Sequence, residues 1–187
     1  MSGNLRIFGF AGSLRQDSYN KALLRAAGEV LPAGVELTIF DLAGIPPFNA
    51  DLVLQPSPQV REFKTGIKTA DALLIATPEY NYSMPGVLEN AIDWASRPHG
   101  DNSFDDKPVA IMGASTGMLG TARAQYHLRQ SCVYLNMHPL NKPEVMVPFA
   151  QDRIDGDGKL IDAKTRDKIK EMVESLVVWT RRLTNST

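Results

Sequence analysis

The chain has 187 residues, with 20 lysines and arginines against 21 aspartates and glutamates, for a formal net charge of -1. This balance disfavours a nucleic-acid partner, which requires a basic surface, and a content of 43% hydrophobic residues suffices for one domain spanning 1–187. No apolar run is long enough for a membrane span, so no membrane partner is expected. Residues 1–4 carry no basic leader and Cys132 is the single cysteine, so we expect a cytoplasmic protein without disulfides.

Apolar strand patterns alternate with amphipathic helix patterns along the chain. Strands are predicted at 5–10, 35–40, 72–77 and 109–114, with a broken fifth strand at 135–137 and 144–147. Helices are predicted after 18, around 60–67, after 85, over 121–134 and over 163–183. The connection 41–58 is rich in proline and is predicted to lack regular structure.

This alternation predicts a parallel sheet, and continuous apolar strands indicate that helices cover both of its faces. Five strand–helix units fit a flavodoxin-like, doubly wound α/β fold with strand order 2-1-3-4-5. Ligands bind such sheets where the strand order reverses, which is between strands 1 and 3. The loops beginning at Gly12 and Pro78 are therefore predicted to lie side by side.

The first of these loops, 12–20, suits a phosphate group. It is made of small and hydroxyl residues and ends where a helix begins, so its backbone N–H groups are free to bind an anion. Ser13, Ser18 and Asn20 can add neutral hydrogen bonds, and Arg15 can add a charge-assisted one. Neither G-x-x-x-x-G-K-[ST] nor G-x-G-x-x-G is present, which favours one phosphate monoester. A plain capped turn would explain the loop equally well.

The second loop, 78–86, places Tyr80 and Tyr82 between two prolines. Aromatic and amide groups at the end of a strand suit a flat heteroaromatic ring. The alternative is a helix-entry turn whose tyrosines cover the core. Taken together, a phosphate loop and a ring loop indicate a mononucleotide with a large ring, for which FMN is the first candidate.

Three segments resemble the NAD(P)H-dependent FMN reductase family, and more narrowly its bacterial quinone and chromate reductase branch. They read G-S-L-R-x-x-S-x-N, T-P-E-Y-N-Y-S-x-P-G-x-L-x-N-A-I-D-W and G-T-A-R-A-Q-Y-H-L-R-Q, and the resemblance runs over residues 7–143. It implies bound FMN, NADPH or NADH as hydride donor, and small acceptors such as quinones, chromate, azo compounds or free flavin. It also implies a homodimer or homotetramer with flavin sites near the subunit contact.

The resemblance also implies two sets of cofactor-binding residues and no side chain acting as a catalytic acid or base. The phosphate and ribityl chain would be held by Ser13, Arg15, Ser18, Tyr19 and Asn20. The ring would be bordered by Pro78, Glu79, Tyr80, Asn81, Tyr82 and Ser115, with backbone donors of the Glu79–Tyr82 or Ser115–Gly117 segments near its reduced form. One departure is Glu89, where many relatives have lysine, and it bears on local surface charge.

Two other functions have partial signals. The segment 113–117 matches the G-x-S-x-G of hydrolases, but no acid lies between Ser115 and His138, so the order of a catalytic triad fails. The stronger alternative is a flavodoxin-type electron carrier that is not an enzyme. Such carriers are usually strongly acidic for steering toward basic partners, and this chain is not.

No metal site is predicted. The segment 155–158 hints at a calcium loop, but Lys159 and Leu160 occupy positions that need a ligand and a glycine, so we interpret it as a turn. The three histidines lack ligand spacing with Cys132. That cysteine lies in a predicted helix and is interpreted as a small buried residue rather than a reactive thiol.

Overall fold

The computed structural model describes residues 4–184. The expectation that the chain has no leader was based on residues 1–4, and residues 1–3 lie outside the described residues. Six strands occur in this part of the chain: β1 Leu5–Ala11, β2 Val35–Phe40, β3 Ala72–Ala76, β4 Pro108–Ala114, β5 His138–Pro139 and β6 Val145–Val147. The α-helices are α1 Tyr19–Glu29, α2 Pro58–Thr69, α3 Gly86–Ala95, α4 Ala122–Tyr134 and α5 Ala163–Thr184.

The strands form one parallel sheet of order β2-β1-β3-β4-β5, which confirms the predicted order. The broken fifth strand is real, because β5 pairs with the start of β4 and β6 pairs with its end. Its first half was predicted too early, at 135–137. Those residues instead close the end of α4, where the N–H of Leu135 donates to Ser131 and that of Met137 donates to Cys132. Leu135 and Met137 are buried there, which explains their apolar character.

Successive side chains of the central strands enter two separate cores. In β1, Ile7 packs in the core under α1 and α5, whereas Phe8 and Phe10 pack in the core under α2, α3 and α4. Leu74 and Ile75 of β3 divide in the same way. Both faces of these strands are therefore covered by helices, which explains their continuous apolar sequence.

The proline-rich connection after β2 is anchored on α3, and it contains a short 3-10 turn, Ala50–Leu52, that the sequence did not predict. The Asn90 side chain donates to the Pro46 carbonyl at 2.9 Å and accepts from the Phe48 N–H at 2.6 Å. The Trp94 indole N–H donates to the same carbonyl at 2.8 Å. The second half of the 77–94 motif therefore holds a distant loop in place.

The ends of β1, β3 and β4 meet at one edge of the sheet. Gly12 N–H donates to the Ala76 carbonyl and Thr77 N–H to the Met112 carbonyl, both at 2.9 Å. These bonds continue the ladder one residue past each strand, so the three following loops begin side by side. This arrangement positions the site.

Substitution of glycine by alanine should have opposite effects on stability at two helical positions, Gly66 and Gly28. A Cβ at Gly66 in α2 would lie 2.3 Å from the Phe8 ring, whereas a Cβ at Gly28 in α1 would meet nothing nearer than Leu37 at 3.9 Å. Gly66→Ala should therefore overpack the core and destabilise the fold by about 1–3 kcal/mol. Gly28→Ala should be neutral or stabilise it by up to about 1 kcal/mol through helix propensity. Urea unfolding of both variants checks this, and equal shifts would refute a packing limit at Gly66.

Candidate functional site

A crevice lies where β1, β3 and β4 end, at the predicted position. It is lined by Ser13, Arg15, Ser18, Tyr19, Asn20, Pro78, Glu79, Tyr80, Ala114, Ser115 and Thr116, and encloses about 130 Å³. A groove of about 300 Å³ shares Arg15, Ser18 and Tyr19 with it and continues along residues 151–158. Of the predicted site residues, Asn81, Tyr82 and Gly117 do not line the crevice.

The loop before α1 presents donors that lack protein partners. The hydroxyl of Ser18 caps the helix by accepting from the Lys21 N–H at 3.4 Å, and both Ser13 and Ser18 are buried. Within residues 4–184, no hydrogen-bond acceptor is found for the N–H groups of Ser13, Leu14, Tyr19 and Asn20. Unpaired N–H groups at a helix start attract an anion. Arg15 is exposed beside them, with its guanidinium carbon 5.9 Å from the centre of the Tyr19 ring.

Asn20 joins two sides of the crevice. Its amide donates to the Ala114 carbonyl at 3.0 Å and accepts from the Ala114 N–H at 2.9 Å, and the side chain is buried. The pair connects the first turn of α1 to the end of β4. The amide therefore fixes the distance between the phosphate loop and the loop that follows β4, a role that the sequence alone did not reveal.

The ring loop is a two-residue hairpin turn. The N–H groups of Tyr80 and Ser83 each donate to the other residue's carbonyl at 3.0 Å. The two residues between them, Asn81 and Tyr82, have φ angles of 51° and 68°, the left-handed pair that such tight turns require. Both tyrosines of the loop are exposed at its surface. A turn whose tyrosines cover the core, the alternative considered above, is therefore not the structure of this loop.

The Glu79 carboxylate faces α4. It accepts from the N–H groups of Arg123 and Ala124 at 3.0 and 3.3 Å and from the Arg123 Nε at 2.5 Å. Its side chain is only 7% exposed. A carboxylate here satisfies free donors of the helix start and is stabilised by the helix dipole. The hydrogen bond between the guanidinium and Glu79 raises the pKa of Arg123 above its ordinary value. The charge of Glu79 is thus already paired within the protein.

The loop after β4 is held by its own contacts. Ser115 Oγ accepts from the Gly117 N–H at 3.0 Å, so that donor is directed at Ser115. His127 pairs with Ser83 at 2.9 Å and His138 with Asp106 at 2.6 Å. Within residues 4–184 neither histidine is hydrogen-bonded to Ser115, so neither is positioned as the general base that the hydrolase alternative needs.

Other sequence signals have structural explanations. Asp155 accepts from the N–H groups of Asp157 and Lys159, which makes the predicted turn. Cys132 is fully buried, and burial raises the pKa of its thiol to about 11, as the interpretation of a small core residue requires. Glu89 is exposed in the first turn of α3.

In the described range 4–184, no three acidic, histidine or cysteine side chains are grouped to hold a metal ion. In the same range, no helix is long and apolar enough to cross a membrane.

A larger groove, of about 690 Å³, lies elsewhere, between edge strand β2 and helix α2. Phe8 and Phe40 form part of its lining, and Arg61 and Glu62 stand at its α2 side. It contains none of the predicted site residues. Doubly wound sheets bind their ligands beyond the carboxyl ends of the strands, so we assign the functional site to the crevice.

The strand order and the crevice at its reversal point define a flavodoxin-like protein built to bind a mononucleotide. The sequence model of the NADPH-dependent FMN reductase family matches residues 5–152. The chain belongs to this family, and the resemblance noted from its motifs is confirmed.

The similarity to individual relatives extends over nearly the whole chain. An NAD(P)H-dependent FMN reductase of Pseudomonas aeruginosa is 53% identical over 184 residues, covering 98% of this chain and 99% of its own. A 2-hydroxy-1,4-benzoquinone reductase of a Burkholderia species is 42% identical, covering 95% and 97%. Among solved structures, the flavoenzyme NAD(P)H:(acceptor) oxidoreductase FerB of Paracoccus denitrificans superposes with a TM-score of 0.87 at 33% identity, covering 95% and 98%.

The donor set of the crevice suits FMN. Free N–H groups and two buried hydroxyls lie at the start of α1, which suits a monophosphate. An exposed tyrosine turn lies across the crevice at Tyr80, which suits a flat ring. The one carboxylate among the residues that line the crevice, Glu79, is paired with Arg123.

Proposed function

We propose that this protein oxidises NADPH or NADH and reduces small quinones, with FMN held in the crevice. Family membership establishes an FMN-dependent reductase that uses NAD(P)H. The Burkholderia relative, named for a benzoquinone substrate, supports quinones as the acceptor class. The observation that carries the proposal is the meeting of phosphate donors and a tyrosine turn where the strand order reverses. Chromate, azo compounds and free flavin are further acceptors to compare.

Within this proposal the residues of the chain bind and orient. Bound FMN would supply the redox chemistry between the nicotinamide and the acceptor. The phosphate and ribityl chain are assigned to Ser13, Arg15, Ser18, Tyr19 and Asn20, with Asn20 acting mainly through its bond to Ala114. The ring is assigned to Pro78, Glu79, Tyr80, Asn81, Tyr82 and Ser115, with Gly117 shaping the Ser115 loop. No side chain is assigned to proton transfer.

An enzyme fits the surface better than an electron carrier. A carrier that meets basic protein partners benefits from a strong acidic field, and the formal net charge here is only -1. Tyr80 and Tyr82 are exposed, so a small planar molecule can reach the ring loop from solvent. We place this activity in the cytoplasm, where an unpaired cysteine stays reduced.

Arg15→Ala should weaken FMN binding and leave riboflavin binding nearly unchanged, because Arg15 is assigned to the phosphate. A charge-assisted hydrogen bond contributes about 1.5–3 kcal/mol, or roughly one to two decades in Kd. Flavin fluorescence titration of the apoprotein measures both ligands. Arg61→Ala, which removes the same charge from α2, is the control and should bind both flavins normally. Equal losses for FMN and riboflavin would place Arg15 away from the phosphate, and no FMN binding by the unmodified protein would refute the proposal itself.

Steady-state kinetics should show alternation of donor and acceptor. If the nicotinamide and the quinone would stack on the same face of bound FMN, each must leave before the other binds. Double-reciprocal plots of NADPH oxidation at several benzoquinone concentrations should therefore be parallel. Intersecting lines would mean that both substrates bind together. Turnover only with a protein donor would favour the electron carrier.

We further propose a homodimer or homotetramer whose contact includes α4. Large apolar side chains are exposed on α4 and beside the crevice: Tyr80, Tyr82, Met118, Leu119, Tyr126, Val133, Tyr134 and Phe149. Tyrosine and methionine are enriched at interfaces, and exposed patches of this kind mark contacts. Light scattering should return a multiple of 20.5 kDa, and Tyr126→Asp should shift it toward one chain. A mass near 20.5 kDa for the unmodified protein would contradict this proposal.

A further inference from the structure

We propose that Arg123 is a positioning residue for the cofactor: together with Glu79 it holds the left-handed turn at Tyr82 in the shape that receives the flavin ring. This inference rests on the proposed placement of FMN beside residues 78–82. It gives Arg123 of the G-T-A-R segment a role at the flavin site, although this residue is not among the predicted cofactor-binding residues.

The turn needs external support. Left-handed backbone is tolerated by asparagine and glycine but is unfavourable for a bulky residue such as tyrosine. Asn81 is therefore suited to its φ of 51°, whereas Tyr82 at 68° is not. A residue in such a conformation persists only when its surroundings hold it there. The Tyr82 side chain is 69% exposed, so burial in the core does not supply this support.

Arg123 supplies it through a stacked contact. The guanidinium carbon of Arg123 lies 3.5 Å from the centre of the Tyr82 ring, which is van der Waals contact over the ring face. A planar cation in this position is attracted by the ring and covers its face. The contact comes from α4, an element that packs against the sheet. The turn is therefore supported by a rigid part of the fold.

Glu79 fixes the orientation of Arg123. Its carboxylate bonds to the Nε and a terminal nitrogen of the guanidinium and also to the first N–H groups of α4. Both guanidinium nitrogens bond to Oε1, while Oε2 accepts from the N–H groups of α4, so the carboxylate fixes the plane of the guanidinium. A third tie joins Ser83 to His127, one turn further along α4. The ring loop is thus held by α4 on both sides of Asn81–Tyr82.

The held segment is continuous with the crevice. Pro78, Glu79 and Tyr80 line it, and Tyr80 is bonded across the turn to Ser83. If the turn at Tyr82 relaxed, the position of Tyr80 would change with it. The effect would fall on the ring of the flavin and not on its phosphate. This distinguishes Arg123 from Arg15.

The test combines Glu79→Gln with Arg123→Met, so that no buried carboxylate loses its partner and the new amide oxygen can still accept from the first N–H groups of α4. We expect apoprotein carrying both changes to bind FMN and riboflavin more weakly by the same factor, about threefold to thirtyfold. The circular dichroism of the bound flavin bands and the midpoint potential of the bound flavin should also change. General destabilisation of the fold would also weaken both flavins by one factor, but it would leave the circular dichroism and midpoint potential of the flavin that does bind unchanged, so these two readouts identify a positioning role.

A Tyr82→Gly variant tests whether Arg123 affects flavin binding through Tyr82. Glycine adopts a positive φ without strain, so in Tyr82→Gly protein the turn needs no stacked arginine. Adding Glu79→Gln and Arg123→Met there should cost clearly less flavin affinity than in the unmodified background. An equal cost in both backgrounds would show that Arg123 does not act through Tyr82, and would overturn the inference.

Arg129→Met is the matched control, because Arg129 lies on the same helix but bonds to the Leu140 carbonyl. It should leave the Kd values of both flavins unchanged. If the Glu79–Arg123 variant does not fold, Arg123→Lys keeps the charge and loses the planar stack, and it should again weaken both flavins equally. Unchanged binding in the variant that folds, or a loss for FMN alone, refutes the inference. Absence of FMN binding in the unmodified protein would instead refute the proposed function.

Discussion

The site depends on the pair of hydrogen bonds between Asn20 and Ala114. They are the link between the first turn of α1 and the end of β4, and they are buried, where losing one would leave a backbone group unpaired. Gly12 and Thr77 extend the ladder between neighbouring strands on the same edge. Three loops that are remote in sequence therefore begin at fixed separations. A phosphate loop and a ring loop can serve one ligand only because these separations are fixed.

The fold could be predicted from local patterns because the central strands β3 and β4 are apolar throughout and β1 nearly so, and because the helices have an apolar face. Parallel order then follows from the right-handed connections that helices make between strands. The sequence was ambiguous where an apolar run is short. Leu135 and Met137 are buried at the end of α4, and a short apolar run does not separate a helix end from a strand. The 3-10 turn at 50–52 was missed because its signal is one local cap, in which the Asn49 side chain accepts from the Asp51 N–H, inside a proline-rich segment. The path of that segment is set by Asn90 and Trp94, which bond to Pro46 and Phe48 from more than forty positions away.

At the site, residue types were easier to predict than the directions of side chains. The sequence brought Glu79 and Asn20 to the crevice, but a sequence does not show that their polar atoms bond to Arg123 and Ala114. Arg123 was missed as a contributor for the same reason. The left-handed pair was signalled by Asn81 alone, since tyrosine is not a residue from which a positive φ is expected. In each case the role of the residue depends on a tertiary contact, which the sequence does not show.

The pairing of Glu79 also has an electrostatic consequence. A carboxylate that borders the crevice without a partner would oppose any gain of negative charge on a ring beside it, and a poorly solvated site would strengthen that opposition. Here the charge is compensated by Arg123 and by the start of α4. The contacts that shape the ring loop therefore also compensate the negative charge of Glu79. Helix α4 carries both Arg123 and the exposed Tyr126. A second subunit bound to this helix would therefore contact the element that holds the ring loop in place.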